Sequence, residues 1–576
     1  MKTKYIFFGL ILSICFSCSD VLDKKDLSAI NDETVWNDKD YAKAYLDKLC
    51  RENLPEWATS GTARQGQSGD IPATPETPYT AGNSDEAGGG ANVMYGELTT
   101  SSIDYWVYNQ IRNINLLIQQ IGSGTIDKET QDILKAQALV LRAWRYFQMV
   151  RLYGGVPIIM SPQALSDDLY VTRNKTSECV DMMVKDLDDA IAILPWTWTG
   201  NDAGRVTKAA AMAFKGRILL YHASPQFNPS RNTARWERAY AANKQAMDQL
   251  AENGYGLYES FEDIWFDEMN KGVVFVQRYQ EPGTVHNWDA ATRPLSEAQN
   301  QSGRNHPTLE MVESFPMITG VPITESDDYD PVYYWQNRDP RFKQTVAYNS
   351  CLWELSGKSG RRQWTYAGAE LNYATESGFY CRKAVNLSYI PYYTERSSTD
   401  WIEIRYAEVM MNYAECAAEL GRLDEAYAIL KQIRKRAGII PGSGEMYGLK
   451  QNMSYDDMMK AILFERKIEF AYEEKRYWDL RRRKLFESEL NGTRRHGILP
   501  ILNIPQAEFE AIQGTIDYEK EYHVYFRDSI VEVDKVFDIN FRENYYFYAI
   551  PNKHLETNSK LEQTNGWPGG TFDPLD

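Results

Sequence analysis

The chain has 576 residues and a net charge of −17, with 43% of its residues hydrophobic and 25% charged. That is the make-up of a globular protein with a sizeable core, folded as one large domain or a few average ones. The acidic balance argues against nucleic acid or an anionic lipid surface as main partner, and beyond the N-terminus no segment has the apolar length to span a bilayer.

The N-terminus reads as a processed leader. Lys2 and Lys4 give it a positive start, and Tyr5–Phe16 is an apolar run too short for a comfortable membrane span. Ser17-Cys18 follows, a thiol behind a small residue, with the polar Ser19-Asp20 after it. This predicts a lipoprotein signal peptide over residues 1–17, lipidation at Cys18 and a tether over 18–34. Cys15 is the competing anchor, disfavoured because the bulky Ile14 precedes it; it also stands where the usual lipobox carries leucine.

A helix is expected near Asp40–Arg51. Residues 57–96 then turn to Gly, Ser, Thr, Pro and Ala, including Gly88-Gly89-Gly90, and predict a long loop. Loops of that length usually serve function or are disordered. Ala136, Val140, Ala143, Phe147 and Val150 repeat at helical spacing up to Gly154-Gly155 and Pro157. Val180, Met183, Leu187, Ala190 and Leu194 form the next stripe, ending at Pro195. Thr207 caps a helix to Tyr221, and another covers 235–253. Between 254 and 400 the helical period fades into Gly, Asn, Asp, Tyr and Trp, with Val273–Val276 a candidate strand. The period returns in Tyr406, Met410, Tyr413, Ala417 and Leu420, then Ala426, Leu430, Ile433 and Ala437, with Gly438 as left-handed stop. That pair has the length of a tetratricopeptide (TPR) unit, with small residues where two helices must approach closely. A further helix is capped at Ser454 and expected to run toward Leu485. The predicted class is mainly α: TPR-like helix pairs (about 35–56, 97–253 and 401–490), irregular segments (57–96 and 254–400) and a C-terminal segment 491–576.

Catalytic motifs are largely missing. Gly357-Lys358-Ser359 lacks the first glycine of a phosphate loop, and the six histidines show no zinc spacing. The scattered, odd-numbered cysteines Cys50, Cys179, Cys351, Cys381 and Cys416 exclude a disulfide framework, while leaving a Cys351–Cys381 bridge open. Glu465, Glu469 and Glu473 form an i, i+4, i+8 ladder among arginines. A glycosidase acid/base pair is one interpretation; an ion-pair network binding the helix to its neighbours is the favoured one. The chain's 15 Trp and 38 Tyr suit half-wet surfaces where a flat ring meets a polar ligand. In the irregular segments Tyr79, Asn83 and Asp85, and then Trp288, Asp289, Trp335, Trp353, Trp364 and Tyr366, are the candidate sugar contacts: rings for the CH faces of a sugar, amides and carboxylates for its hydroxyls. Each ring competes with a plain packing role.

Several ordered motifs resemble the SusD/RagB family of outer-membrane nutrient-binding lipoproteins. They are Cys18-Ser19-Asp20-Val21-Leu22-Asp23, Leu141–Phe147 leading to Tyr153–Pro157, Gly204–Thr207, Arg338–Phe342, Ile404–Glu408, and Glu465–Phe470 continuing through Glu473 to Arg476–Arg482. Gln563–Trp567 matches the terminal motif, except that Thr564-Asn565 replaces the usual Asn-Pro. The resemblance spans essentially the whole chain. It implies four TPR-like helix pairs carrying an irregular ligand surface, anchored by lipid to the outer membrane and facing outward. It also implies non-catalytic capture of a glycan and delivery to a SusC-like, TonB-dependent barrel; the residues themselves point to no cofactor, no metal site and no nucleic acid, with a structural calcium ion left open. Peptide capture in the same role is the alternative; a surface hydrolase using Glu465 or Glu469, and a TPR adaptor binding only protein, are the others. The matched motifs are scaffold, so the family supplies no ligand residues.

Overall fold

The computed structural model describes residues 32–57, 92–164, 166–299, 305–370 and 375–575. The leader, Cys18, Tyr79, Asn83 and Asp85 lie outside the described residues.

Among the described residues nine long helices form the frame: α1 (Lys39–Asn53), α2 (Tyr108–Gln120), α3 (Lys128–Tyr153), α4 (Thr176–Ile193), α5 (Lys208–Ala223), α6 (Thr233–Glu252), α7 (Tyr406–Glu419), α8 (Leu423–Ala437) and α9 (Tyr455–Glu469). Their ends are set by local chemistry. Asp38 caps α1 through the Asp40 amide at 2.8 Å, and Thr207 caps α5 through the Ala210 amide. Gly154 stops α3 with φ of 78°, and a Cβ there would lie 2.5 Å from Pro574. Gly438 ends α8 in the left-handed conformation. Successive helices pack as neighbours, α3 on α4, α4 on α5, α5 on α6, α6 on α7 and α7 on α8. The small residues Ala414, Ala417, Ala418 and Ala426 are fully buried in these contacts. This is the TPR-like stacking of antiparallel pairs expected from the periodicity.

The family-like motifs are the joints of this frame. Arg142 grips Asp186 through two bonds of 2.8 Å, tying α3 to α4. Arg217 on α5 holds Glu408 on α7, and Arg482 forks onto Glu415. Gln563 clasps both backbone groups of Ile550, and the Trp567 indole donates to Phe547 O at 2.7 Å.

The helix begun at Ser454 does not run on to Leu485. It stops at Glu469, and a short helix α10 (Arg476–Arg482) resumes after a break. Tyr472 and Glu474 in the break have φ of 58° and 63°. Past the break Glu473 points inward, onto Lys383 and Arg405. Helix also begins at Asp32, inside the stretch expected to be tether.

The irregular half has its own core, built from Trp57, Trp265, Trp288, Trp335, Trp353, Trp401 and the residues around them, separate from the helical core. The strand expected at Val273 is β1 (Val273–Gln277). Short strands β2 (Val346–Ala347) and β3 (Tyr380–Cys381) pair with each other, and β1 runs antiparallel to β4 (Trp401–Arg405), which leads directly into α7. An antiparallel pair, β5 (His496–Leu502) with β6 (Phe526–Glu532), completes this half. Cys50, Cys179, Cys351, Cys381 and Cys416 take part in no disulfide, so Cys351 and Cys381 form no bridge.

Candidate ligand-binding cleft

Buried charge joins the two halves. Arg341 lies 2.8 Å from Glu465 and 2.9 Å from Glu469; Arg434 holds the other oxygen of Glu465 at 2.7 Å. Arg405 reaches Glu469 at 2.9 Å and Glu473 at 2.7 Å, while Arg436 and Lys383 close onto Glu469 and Glu473. Burial alone would raise these carboxyls, but the surrounding guanidinium and ammonium groups outweigh it and hold all three below the usual carboxylate range. A glycosidase acid needs a raised pKa and a path to the sugar bond. Glu465 and Glu469 have neither, being sealed between scaffold and insertion. The ladder is a weld.

Lys383 carries that weld to the surface. It lies in the loop 382–388, which forms one wall of a cleft of about 290 Å³. The facing lip is the segment 261–266, including a 3₁₀ turn over Asp263–Trp265. Gln344 and Trp353 complete the lining. Phe266 is 39% exposed, an unusual setting for a phenylalanine. Glu262 and Asp263 are exposed beside it. Arg382 is half-buried, donates to Leu352 O at 3.0 Å, and sits 6.0 Å from the Trp353 ring. The cleft thus sets a flat apolar ring beside a guanidinium, a side-chain amide and two carboxylates.

The loop is fixed from behind. Trp288 Nε1 donates to Lys383 O at 3.1 Å, and the Asn386 amide donates to Asp289 Oδ1 at 2.8 Å. Asp289 also accepts from Ser397 and pairs with Arg293. Burial pushes the Asp289 carboxyl up, against the pull of Arg293 and its hydrogen bonds.

The aromatic candidates read from the sequence are placed mostly as packing. Trp288 is buried 4.6 Å from the Trp57 ring, and Trp335 is stacked on Tyr348 with its indole N–H on Glu519. Trp364 is half-buried against Phe509 and Tyr518, and Tyr366 is buried against Phe509 and Phe526. None of these four lines the cleft, because the irregular half needs its own core and its large rings fill it. Trp353 alone among the six described candidates borders the cleft, while Trp288 and Asp289 shape it indirectly. Phe266, Glu262, Asp263, Gln344 and Arg382 escaped the sequence reading. The run Phe261-Glu262-Asp263-Ile264-Trp265-Phe266, aromatics interleaved with acids, was the available signal. Among the described residues no group of His, Cys, Asp and Glu could hold a metal ion.

Residues 264–567 match the family model described as the SusD family. The chain belongs to the SusD family. Residues 92–220 match a second SusD-like model, described as starch-binding and associating with the outer membrane. A SusD-like protein of Formosa agariphila (P38) is 23% identical over 501 residues, covering 81% of this chain and 88% of that protein. Among solved structures, a SusD-like protein from Bacteroides fragilis superposes with a TM-score of 0.73 at 22% identity, covering 94% of this chain and 100% of the other. One described as a laminarin-binding SusD-like protein gives a TM-score of 0.54 at 18% identity, with coverages of 84% and 92%. At these identities the superpositions establish the SusD fold, in agreement with the helix pairs above.

Proposed function

We propose that this SusD-family chain is a lipid-anchored binder on the outer face of the outer membrane. It captures a glycan in the 261–388 cleft and passes it, uncut, to a SusC-like, TonB-dependent barrel. The observation that carries the reading is the cleft lining. A sugar presents weakly apolar CH faces ringed by hydroxyls that both donate and accept hydrogen bonds. Phe266 offers the CH face a ring, Arg382 donates, Glu262 and Asp263 accept, and Gln344 does both. The cleft volume sits at the lower end of ligand-sized sites, suited to a short stretch of a glycan. Binding without cleavage is supported by the placement of the carboxylates. Glu262 and Asp263 are consecutive on one lip, whereas glycosidases set two carboxyls across the scissile bond. The descriptions of the second matching model and of the laminarin-binding neighbour favour a polysaccharide over a peptide.

The test is calorimetric titration of the chain against starch, laminarin, xylan and mannan, with a mixed peptide pool alongside. Heat with at least one polysaccharide, abolished or weakened about tenfold in Phe266→Ala and Arg382→Ala, is the expected result. Binding only to peptides would replace the glycan by a peptide; reducing ends released by the purified protein would overturn the non-catalytic reading.

A further inference from the structure

Beyond the cleft wall the chain carries an unusual concentration of exposed apolar side chains. Leu387, itself part of the cleft lining, is followed by Ile390, Tyr392 and Tyr393, all exposed, within seven residues. Tyr392 is 57% exposed and Tyr393 46%. Single exposed apolar residues are ordinary, but four within seven residues, the first of them lining a cleft, point to a ligand.

The strip is rigidly held. Tyr392 and Tyr393 lie on a 3₁₀ helix, Pro391–Arg396, packed against the short helix Trp288–Thr292. Thr394 is fully buried beneath it and donates to Pro391 O at 2.7 Å. Backbone bonds between His286 and Ser397, at 2.9 and 3.0 Å, fix its far end. One guanidinium ties it to the cleft: Arg293 donates to Asn386 O in the cleft wall and, at 2.6 Å, to Tyr389 O at the foot of the strip. The two tyrosine rings meet edge to face, 5.1 Å apart and inclined at 81°. The pair forms a corner, one ring as floor and the other as side wall, with two phenolic hydroxyls at hand.

We infer that Tyr392 and Tyr393 form a second sugar-stacking subsite, continuous with the cleft, so that the chain binds an extended glycan across both. This rests on the function proposed above and adds chain-length selectivity to it. A disaccharide fills the cleft alone, while a longer glycan gains the tyrosine corner and the affinity that comes with it. Aromatic side chains give such contact area at low entropic cost, and their preset orientation here lowers that cost further.

The test uses the full chain and a disaccharide with its matching polymer: maltose and starch, laminaribiose and laminarin, xylobiose and xylan, mannobiose and mannan. In the double variant Tyr392→Ala/Tyr393→Ala, affinity for the bound polymer should fall about tenfold, with the disaccharide unchanged. Tyr392→Phe/Tyr393→Phe, which keeps the rings, should retain most of the polymer affinity. Unchanged polymer affinity in the alanine variant overturns the subsite while leaving the cleft reading standing, and marks the strip as a protein-facing patch. Equal losses for disaccharide and polymer overturn it too, by placing the tyrosines within one common site. A wild-type chain that binds none of the eight sugars overturns the subsite and the glycan reading together.

Discussion

Trp288 and Phe266 illustrate how the same residue class takes opposite roles in this half of the molecule. Trp288 is buried among Trp57 and its neighbours and donates to the carbonyl of Lys383, so Trp288→Ala removes both a large ring and a brace of the cleft wall. Truncating a buried aromatic of this size costs about 3–5 kcal/mol, so its thermal midpoint should fall by several degrees. Phe266 sits at the lip with much of its ring in solvent, so Phe266→Ala should leave the midpoint nearly unchanged while weakening glycan titrations. Differential scanning calorimetry beside titration separates the two; a Trp288→Ala protein of unchanged stability would contradict its burial. Residue-level function was the least legible part of the sequence. Trp, Tyr and Phe serve core and ligand alike, and which they serve depends on long-range contacts, such as Trp57 with Trp288, that no local period reveals. Exposure of Phe266, Tyr392 and Tyr393 is likewise set by what the rest of the chain leaves uncovered.

Helices and their joints were far more legible, because their signals are local. Thr207, Gly154, Gly438 and Ser454 mark ends through the hydrogen bonds or backbone angles that helix termini require. The exception is the break after Glu469, which the local period does not mark; beyond it Glu473 pairs with distant groups, Lys383 in the insertion and Arg405 at the end of β4. Removing one partner from such a buried network strands the others' charge. Arg405→Met, which uncovers Glu469 and Glu473, should therefore cost about 3–5 kcal/mol, measurable by urea unfolding. The network also fixes a pH response. Asp479 is drawn from 3.8 to about 2 because Arg466 and Arg482 outweigh its burial, and Glu415, Glu465, Glu469 and Glu473 are held below 4.5 for the same reason. A depressed folded-state pKa contributes stability that is fully present above the unfolded value and lost as pH falls through the folded one. The carboxylates should thus add a steep drop of the thermal midpoint between about pH 4 and 2, below a shallower decline that begins under about pH 6.5, where His222 and His286, pushed down to about 3 by burial, stay neutral in the fold. A midpoint that does not steepen between pH 4 and 2 would mean that these carboxylates do not dominate the acid response.

At the scale of the whole molecule, a weak site becomes useful through where the chain is held. One acyl chain binds a membrane only marginally, whereas two or more anchor it firmly. The proposed lipid at Cys18 would confine the SusD fold next to its barrel, raising their mutual effective concentration so that modest contacts keep them together. No helix among the described residues is long and apolar enough to cross a membrane. Cys18→Ala should therefore move the protein from the membrane pellet to the soluble fraction on cell fractionation. The released variant should still fold and bind glycan in solution, because the cleft at Phe266 and Arg382 is built wholly within residues 261–388 and braced by Glu473 from the break after α9. Cells carrying it should nonetheless take up the polysaccharide more slowly, since capture no longer occurs beside the barrel. Retention of Cys18→Ala in the pellet, with release only in Cys15→Ala, would move the anchor to Cys15. Retention in both single variants and in the double would remove the lipid from the mechanism and leave protein contacts as the tether.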